Sequence, residues 1–165
     1  MDIEYKQISN AEIPAVHELF HAGWNFAYSF LPREELDTLV NKYYSEEKLS
    51  LHLEKALQGK EFFEGAFKKD KLIGFIMARH SGNDGHLIGI YLEPREIRKG
   101  IGTKLMGLTE DFLKENGVTK YSTFVNKHNK IGLNFYKKVG FTRDEEKDKD
   151  DEFEEKVLAY VEKEL

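Results

Sequence analysis

The chain has 165 residues, a formal net charge of −5 at pH 7 and no cysteine. This length and composition predict one globular domain, and the lack of cysteine excludes disulfides, thiolate metal sites and a cysteine nucleophile. The acidic balance without a basic tract argues against a nucleic-acid partner, and the lack of a long apolar run argues against a membrane span.

The first half of the chain predicts one strand followed by three helices. Residues 2–8 alternate apolar and polar side chains, which is typical of a strand. The opening residues lack the basic start and apolar stretch of a signal peptide, so a cytoplasmic location is expected. Apolar side chains at helical spacing predict helices over residues 11–30, from Pro32 to Val40, and from Ser45 to Gly59.

The second half alternates strands and helices. Strands are predicted at residues 62–67, 72–78 and 86–92, with turns between them. A helix over 102–115, a strand over 118–125, a helix over 130–139 and a strand around 156–162 complete the chain. Strands that alternate with helices in this way predict one α/β domain spanning residues 1–165.

The most informative segment is the glycine loop at residues 97–103, which follows a strand and opens a helix. Gly100 and Gly102 allow the backbone to turn sharply and to approach a ligand, because they have no Cβ. The first N–H groups of a helix lack partners, and Arg98 and Lys99 add positive potential. The loop suits a pyrophosphate, although on its own it also fits a plain glycine turn.

The order of residues in this loop is not that of a Walker A motif. It also differs from the dinucleotide fingerprint, because Leu105 occupies the position of the third glycine. A second motif lies about thirty residues further on, at Asn129–Phe141.

Together the two motifs resemble the GCN5-related N-acetyltransferase (GNAT) family. Ile97–Gly102 matches the family's Gln/Arg-x-x-Gly-x-Gly/Ala loop except that Ile97 replaces Gln or Arg. Asn129–Phe141 matches Asn-x-x-Ala-x-x-Phe/Leu-Tyr-x-x-x-Gly-Phe, with Gly132 in place of Ala. The motifs occur in the family's order, and the resemblance covers most of residues 60–165.

The resemblance implies the family's fold and chemistry. The fold would be a mixed, twisted sheet of about six to seven strands flanked by about four to five helices. The activity would be acetyl transfer from acetyl-CoA to a primary amine of a small molecule or peptide, by direct attack in a ternary complex without a metal. The resemblance also makes a homodimer possible, because dimers are common in the family.

The resemblance also assigns residues to the cofactor. The strand before the loop is expected to splay from its parallel neighbour after residue 92, which would expose backbone groups. The residues implied in binding acetyl-CoA are Ile90, Tyr91 and Leu92 on the pantetheine arm, Arg98, Lys99, Gly100, Ile101, Gly102 and Thr103 on the pyrophosphate, and Asn129 and Tyr136 near the second helix.

Tyr136 is the candidate general acid for the departing thiolate, since the ordinary pKa of tyrosine, about 10, is close to that of an alkyl thiol. A packed core tyrosine is the alternative. Trp24 and Tyr28 lie where the family walls its acceptor site, but their helical spacing also fits core packing. No general base is assigned, because Ile88 and Gly89 occupy positions where some members carry a carboxylate. Glu93 lies past the end of this strand, His86 and Asp84 lie before it, and a chain of water molecules is an equal alternative.

Other interpretations remain at this stage. A non-catalytic acyl-CoA-binding or sensor domain would retain the same loop. The acidic run at residues 144–152 is either a solvated hairpin or a patch that attracts a cationic amine. His17 and His21 with Glu18 match the H-E-x-x-H pattern of zinc proteases, but no third ligand is evident.

Overall fold

The computed structural model describes residues 2–165, with the backbone alone at Phe26. Across these residues seven strands form one mixed sheet in the order β1-β2-β3-β4-β5-β7-β6. The strands are β1 (Glu4–Gln7), β2 (Glu61–Lys68), β3 (Lys71–Ser81), β4 (Asp84–Leu92), β5 (Lys120–Asn126), β6 (Thr142–Arg143) and β7 (Leu158–Glu164). The helices are α1 (Ile13–Ala27), α2 (Arg33–Tyr44), α3 (Glu46–Leu57), α4 (Ile101–Glu115) and α5 (Lys130–Lys138).

Helices cover both faces of the sheet, so the domain has two cores. Strand β3 contributes to both, because it is buried continuously from Leu72 to Ala78. Phe75 and Met77 point to the core with α1, α2 and α3, whereas Ile76 and Ala78 point to the core with α4 and α5. No helix within residues 2–165 combines the length and apolar character that a membrane span requires.

The predicted fold class is confirmed, and the differences lie at the ends of elements. The short strand β6 was missed, because two residues cannot show an alternating pattern. Strand β7 begins at Leu158, later than predicted. Lys156 before it adopts a left-handed backbone (φ 53°), and its N–H donates to Asp150 Oδ1 at 2.8 Å, which keeps the chain in a turn.

The feature that positions the functional site is the short contact between β4 and β5. These parallel strands pair only from Asp84 to His86, against residues 120–122. Beyond this point Thr123 Oγ1 donates to the Leu87 carbonyl at 2.8 Å, in place of a backbone partner. A gap between β4 and β5 therefore opens at Leu87, and we call it the gap. The sequence analysis expected the strands to separate only after residue 92, so this expectation is corrected.

A β-bulge accompanies the opening. Met77 pairs with Gly89 and Ala78 with Leu87, so Ile88 is an extra residue in β4. A bulge bends its strand and increases the local twist. The bend in β4 and the side-chain contact from β5 together open the gap toward the carboxyl ends of both strands.

Candidate active site

The gap exposes backbone groups of Ile90 and Leu92. The N–H of Glu93 donates to the Ile73 carbonyl at 2.8 Å, so residues 89, 91 and 93 bond to β3 in the antiparallel register. The N–H and C=O groups of Ile90 and Leu92 therefore point toward β5, where pairing has already ended. The sequence analysis expected Tyr91 to offer backbone groups to the pantetheine arm as well. Its N–H and C=O groups instead point to β3.

The glycine loop presents a row of free amides. Within residues 2–165 the N–H groups of positions 98–103 find no hydrogen-bond acceptor, and helical bonding starts when Lys104 N donates to the Gly100 carbonyl at 3.1 Å. Gly100 is the residue before α4 and has a left-handed backbone (φ 86°), as does Arg98 (φ 68°). These unpaired donors at the positive end of a helix dipole suit an anion.

The charge of the loop is partly balanced by a residue that the sequence did not single out. Glu96 is buried and accepts hydrogen bonds from Lys68 at 3.2 Å and from Lys99 at 3.3 Å. These two lysines hold the pKa of Glu96 below its usual range. Lys99 is therefore engaged with Glu96, while the Arg98 side chain is exposed to solvent.

Helices α4 and α5 meet closely beside the loop. A Cβ at Gly102 would lie 3.0 Å from Cε1 of Phe135, so glycine permits this approach. Ile101 is buried beneath the loop, whereas Thr103 is exposed. The contact brings the second motif alongside the first.

Asn129 begins α5 as its N-terminal cap. Its Oδ1 accepts from the Gly132 N–H at 2.9 Å. A Cβ at Gly132 would lie 2.7 Å from Asn129 Nδ2, so the asparagine side chain fills the space that the family's usual alanine would need. The glycine at this position is thus explained by the cap.

Tyr136 lies on the inner face of α5 and is buried. Its ring packs edge-to-face with Phe141, with ring centroids 5.3 Å apart, and with Phe135 at 5.6 Å. Burial raises the pKa of Tyr136, so its hydroxyl keeps its proton at neutral pH.

Tyr91 links the two sides of the site through its side chain. Its ring lies between Gly23 of α1 and Gly89 of its own strand, and its hydroxyl accepts from Trp24 Nε1 at 3.0 Å. Burial raises the pKa of Tyr91, and the nearby hydroxyls of Tyr44, Tyr136 and Tyr28 contribute to the rise. Tyr91 thus links β4 to the acceptor candidate Trp24 on α1.

The acidic segment reaches this site from the other end of the chain. We call residues 148–156 the acidic loop. Tyr28 donates to Asp151 Oδ2 at 2.7 Å. Burial raises the pKa of Tyr28, and the hydrogen bond to Asp151 adds to the rise. The exposed rings of Phe30 and Phe153 lie beside Tyr28, at centroid distances of 6.2 and 5.5 Å.

A cavity of about 400 Å³ lies elsewhere, where β4 and β5 begin. Its lining includes the basic side chains of Arg79, Lys120 and Lys147. Burial, with the charges of Arg79 and Lys149, lowers the pKa of His86 in its wall to about 4. Neither the glycine loop nor Tyr136 contributes to this cavity, so the gap is the candidate active site.

The two histidines of the H-E-x-x-H pattern connect helices. His17 Nε2 lies 2.8 Å from Asn41 Oδ1, and the buried His21 lies 2.6 Å from Asp37. Both partners belong to α2. Across residues 2–165 no three His, Cys, Asp or Glu side chains form a group able to hold a metal ion.

Known proteins share this architecture. A model of the acetyltransferase (GNAT) family matches residues 15–141. The chain is 30% identical over 143 residues to the spermidine N(1)-acetyltransferase of Thermoplasma acidophilum, which covers 86% of this chain and 89% of that protein. The crystal structure of PaiA N-acetyltransferase from Thermoplasma acidophilum in complex with coenzyme A superposes with a TM-score of 0.87, at 27% identity over 100% of both chains.

The fold likeness extends to more distant structures. The structure of yncA from Salmonella typhimurium with its cofactor acetyl-CoA gives a TM-score of 0.73 at 12% identity, over 100% of this chain and 95% of that one. The matches confirm the resemblance that the two motifs indicate. The chain therefore belongs to the GNAT family and is an N-acetyltransferase that moves an acetyl group from acetyl-CoA to an amine.

Proposed function

We propose that residues 1–165 act as one domain that acetylates a primary amine of a linear polyamine. The row of unpaired amides at positions 98–103 beside the open gap carries the acetyl-CoA half of the proposal. The acceptor half is supported by the aromatic and acidic surface around Tyr28 and by the relative at 30% identity, which is a spermidine N(1)-acetyltransferase.

In this proposal the chain holds acetyl-CoA mainly through backbone groups. The amides of residues 98–103 receive the pyrophosphate, and the exposed Arg98 adds positive charge. The free backbone groups of Ile90 and Leu92 receive the pantetheine arm. Asn129, held by its capping bond at the start of α5, contacts the arm from the opposite side.

The acceptor amine enters on the side of α1. Trp24 and Tyr28 present aromatic faces, and the carboxylates of the acidic loop attract a cation toward them. A polyamine suits this surface better than an anionic acceptor does, because it carries several positive charges on a flexible apolar chain.

Tyr136 donates to the sulfur as the C–S bond breaks. Its raised pKa reflects burial, and burial raises the pKa of a thiol at the same place, so the two groups remain matched for proton transfer. General acid catalysis of this kind contributes about 10²–10⁴-fold to a rate.

The proposal places the enzyme in the cytoplasm, with acetyl-CoA and an amine as its ligands. It includes no nucleic-acid or membrane partner, in keeping with the net charge of −5.

Thiol release from acetyl-CoA in the presence of an amine panel tests the function. The panel holds spermidine, a diamine, a dipeptide and a neutral amino acid amide. We expect turnover to be highest with polyamines. We expect Tyr136→Phe to lower this turnover by about 10²-fold or more. Binding of coenzyme A without turnover of any amine would instead identify a non-catalytic binding domain.

A further inference from the structure

The sequence offers no general base, but the fold assembles a candidate from two distant segments. We propose that Tyr28 and Asp151 form a proton relay that takes the proton from the acceptor nitrogen as it attacks the thioester. This inference rests on the proposed acetyl transfer at the gap. Tyr28 is the group that contacts the amine, and Asp151 acts through it.

The first support is the geometry of the pair. Tyr28 follows α1, Asp151 lies in the acidic loop, and the hydroxyl donates to Oδ2 at 2.7 Å. A tyrosine hydroxyl that donates its own proton to a carboxylate keeps its lone pairs free to accept another. The pair therefore has the order that a relay needs, with an acceptor facing the site and a carboxylate behind it.

The second support is the way the loop fixes the carboxylate. Asp151 Oδ1 accepts from the N–H groups of Phe153 at 2.7 Å and Glu154 at 2.8 Å. One oxygen of Asp151 thus holds the loop in shape, and the other is directed at Tyr28. The rings of Phe30 and Phe153 pack beside the Tyr28 ring and contact each other, which adds an apolar edge to this end of the loop.

The third support is the position of Tyr28 beside the aromatic groups that reach β4. The ring centroids of Tyr28 and Trp24 lie 6.0 Å apart, and Trp24 Nε1 donates to the hydroxyl of Tyr91 on β4 at 3.0 Å. The relay therefore lies on the α1 side of the strand that borders the gap.

The proton balance of the step is complete within these groups. The neutral amine forms the C–N bond, and its nitrogen becomes cationic and strongly acidic. Its proton passes to the Tyr28 oxygen while the Tyr28 proton passes to Asp151. When the adduct collapses, the C–S bond breaks and the sulfur receives the proton of Tyr136. After the product amide leaves, Asp151 gives up its proton to solvent and Tyr136 takes one up, while Tyr28 is already restored.

Several groups face Tyr28 and shape its proton affinity. Burial raises the pKa of Tyr28 most, and Asp151 and Glu152 of the acidic loop raise it further. Asn126 of β5 lowers it. Trp24 packs beside it within α1, with ring centroids 6.0 Å apart. Tyr91 faces it from β4.

The test compares the relay with two other pairs of the same chemistry. Tyr28→Phe removes the hydroxyl, and Asp151→Asn keeps an oxygen for the loop amides while its NH₂ cannot accept the Tyr28 proton. Tyr43 donates to Glu152 at 2.8 Å and Tyr160 donates to Glu162 at 2.9 Å, so Tyr43→Phe and Tyr160→Phe are matched controls. The readouts are the pH profile of kcat, the KM for spermidine, and binding of coenzyme A.

We expect Tyr28→Phe and Asp151→Asn each to lower kcat near neutral pH by about 10²-fold or more, with coenzyme A binding unchanged. The deficit should shrink as the pH rises, because hydroxide then replaces the missing base. The double variant should lose no more than either single one, because the two groups act as a unit. The control variants should keep kcat within about twofold.

Two results would overturn the relay and are distinguishable from failure of the proposed function. A deficit of the same size at every pH, or a loss matched by Tyr43→Phe, would show that Tyr28 only supports the loop. No turnover of any amine by the unmodified enzyme would overturn the proposed function and the relay with it.

Discussion

Replacing Gly23 with alanine tests how tightly the Tyr91 side chain is held. A Cβ at position 23 would lie 2.1 Å from Cδ1 and 2.2 Å from Cε1 of Tyr91. The ring has little room to move, because a Cβ at Gly89 on its other side would lie 2.8 Å from Cε2. Its hydroxyl is also bonded to Trp24 at 3.0 Å.

The magnitude follows from the overlap. Carbon atoms prefer to lie about 3.5–4.0 Å apart, so the ring or α1 must shift by more than 1 Å. Overpacking of this kind costs about 1–3 kcal/mol, and alanine regains about 1 kcal/mol of helix propensity. We therefore expect a net loss of up to about 2 kcal/mol, or a fall in Tm of up to several degrees for a domain of this size.

Gly107 in α4 provides a matched control. A Cβ there meets no atom within 4 Å. Gly107→Ala should therefore gain about 0.5–1 kcal/mol, the opposite sign, because only the helix propensity changes.

Urea unfolding followed by circular dichroism measures both variants, and KM for spermidine reports on the displaced Trp24 and Tyr91. If Gly23→Ala were as stable as Gly107→Ala, the close packing of Tyr91 between two glycines would be refuted.

Three further outcomes are expected. Gly100→Ala should cost about 1–2 kcal/mol and weaken coenzyme A binding in calorimetry, because φ is 86° there; unchanged stability would contradict this backbone. Asn129→Ala should cost about 1 kcal/mol in urea, since Gly132 N loses its acceptor, and no loss would dismiss the cap. The pKa of His86 falls from 6.5 to about 4 in the fold, so the unfolded chain binds a proton between these values and stability drops as the pH falls through them. His86→Gln should remove as much as about 3 kcal/mol of that drop in an acid unfolding series, and an unaltered pH dependence would reject it.

The acceptor side of the site shows why sequence reasoning stops where it does. Tyr28 and Trp24 are readable as candidates, but their helical spacing fits a packed core equally well. Their partners decide between the two, and Asp151 lies 123 residues away from Tyr28. Asp151 is one of many carboxylates in the acidic run, and the sequence does not distinguish a solvated carboxylate from a functional one.

The two motifs assigned to acetyl-CoA could be recognised from the sequence because the physics of each one is local. A left-handed glycine, a helix start and a capping asparagine each depend on residues within one or two turns of the chain. Residue spacing alone is therefore enough to recognise the loop at 97–103 and the motif at Asn129–Phe141. Even in this loop, only the tertiary structure reveals that the buried Glu96 binds Lys99.

The amino-acid sequence by itself determined the family, the α/β class and the two motifs that we propose to face acetyl-CoA. The tertiary structure alone decided where β4 and β5 separate, since that depends on Thr123 meeting Leu87 across the sheet. It also decided that Tyr28 meets Asp151 from the other end of the chain. Local patterns record backbone conformation and burial, whereas a site formed by distant segments exists only once packing has brought them together.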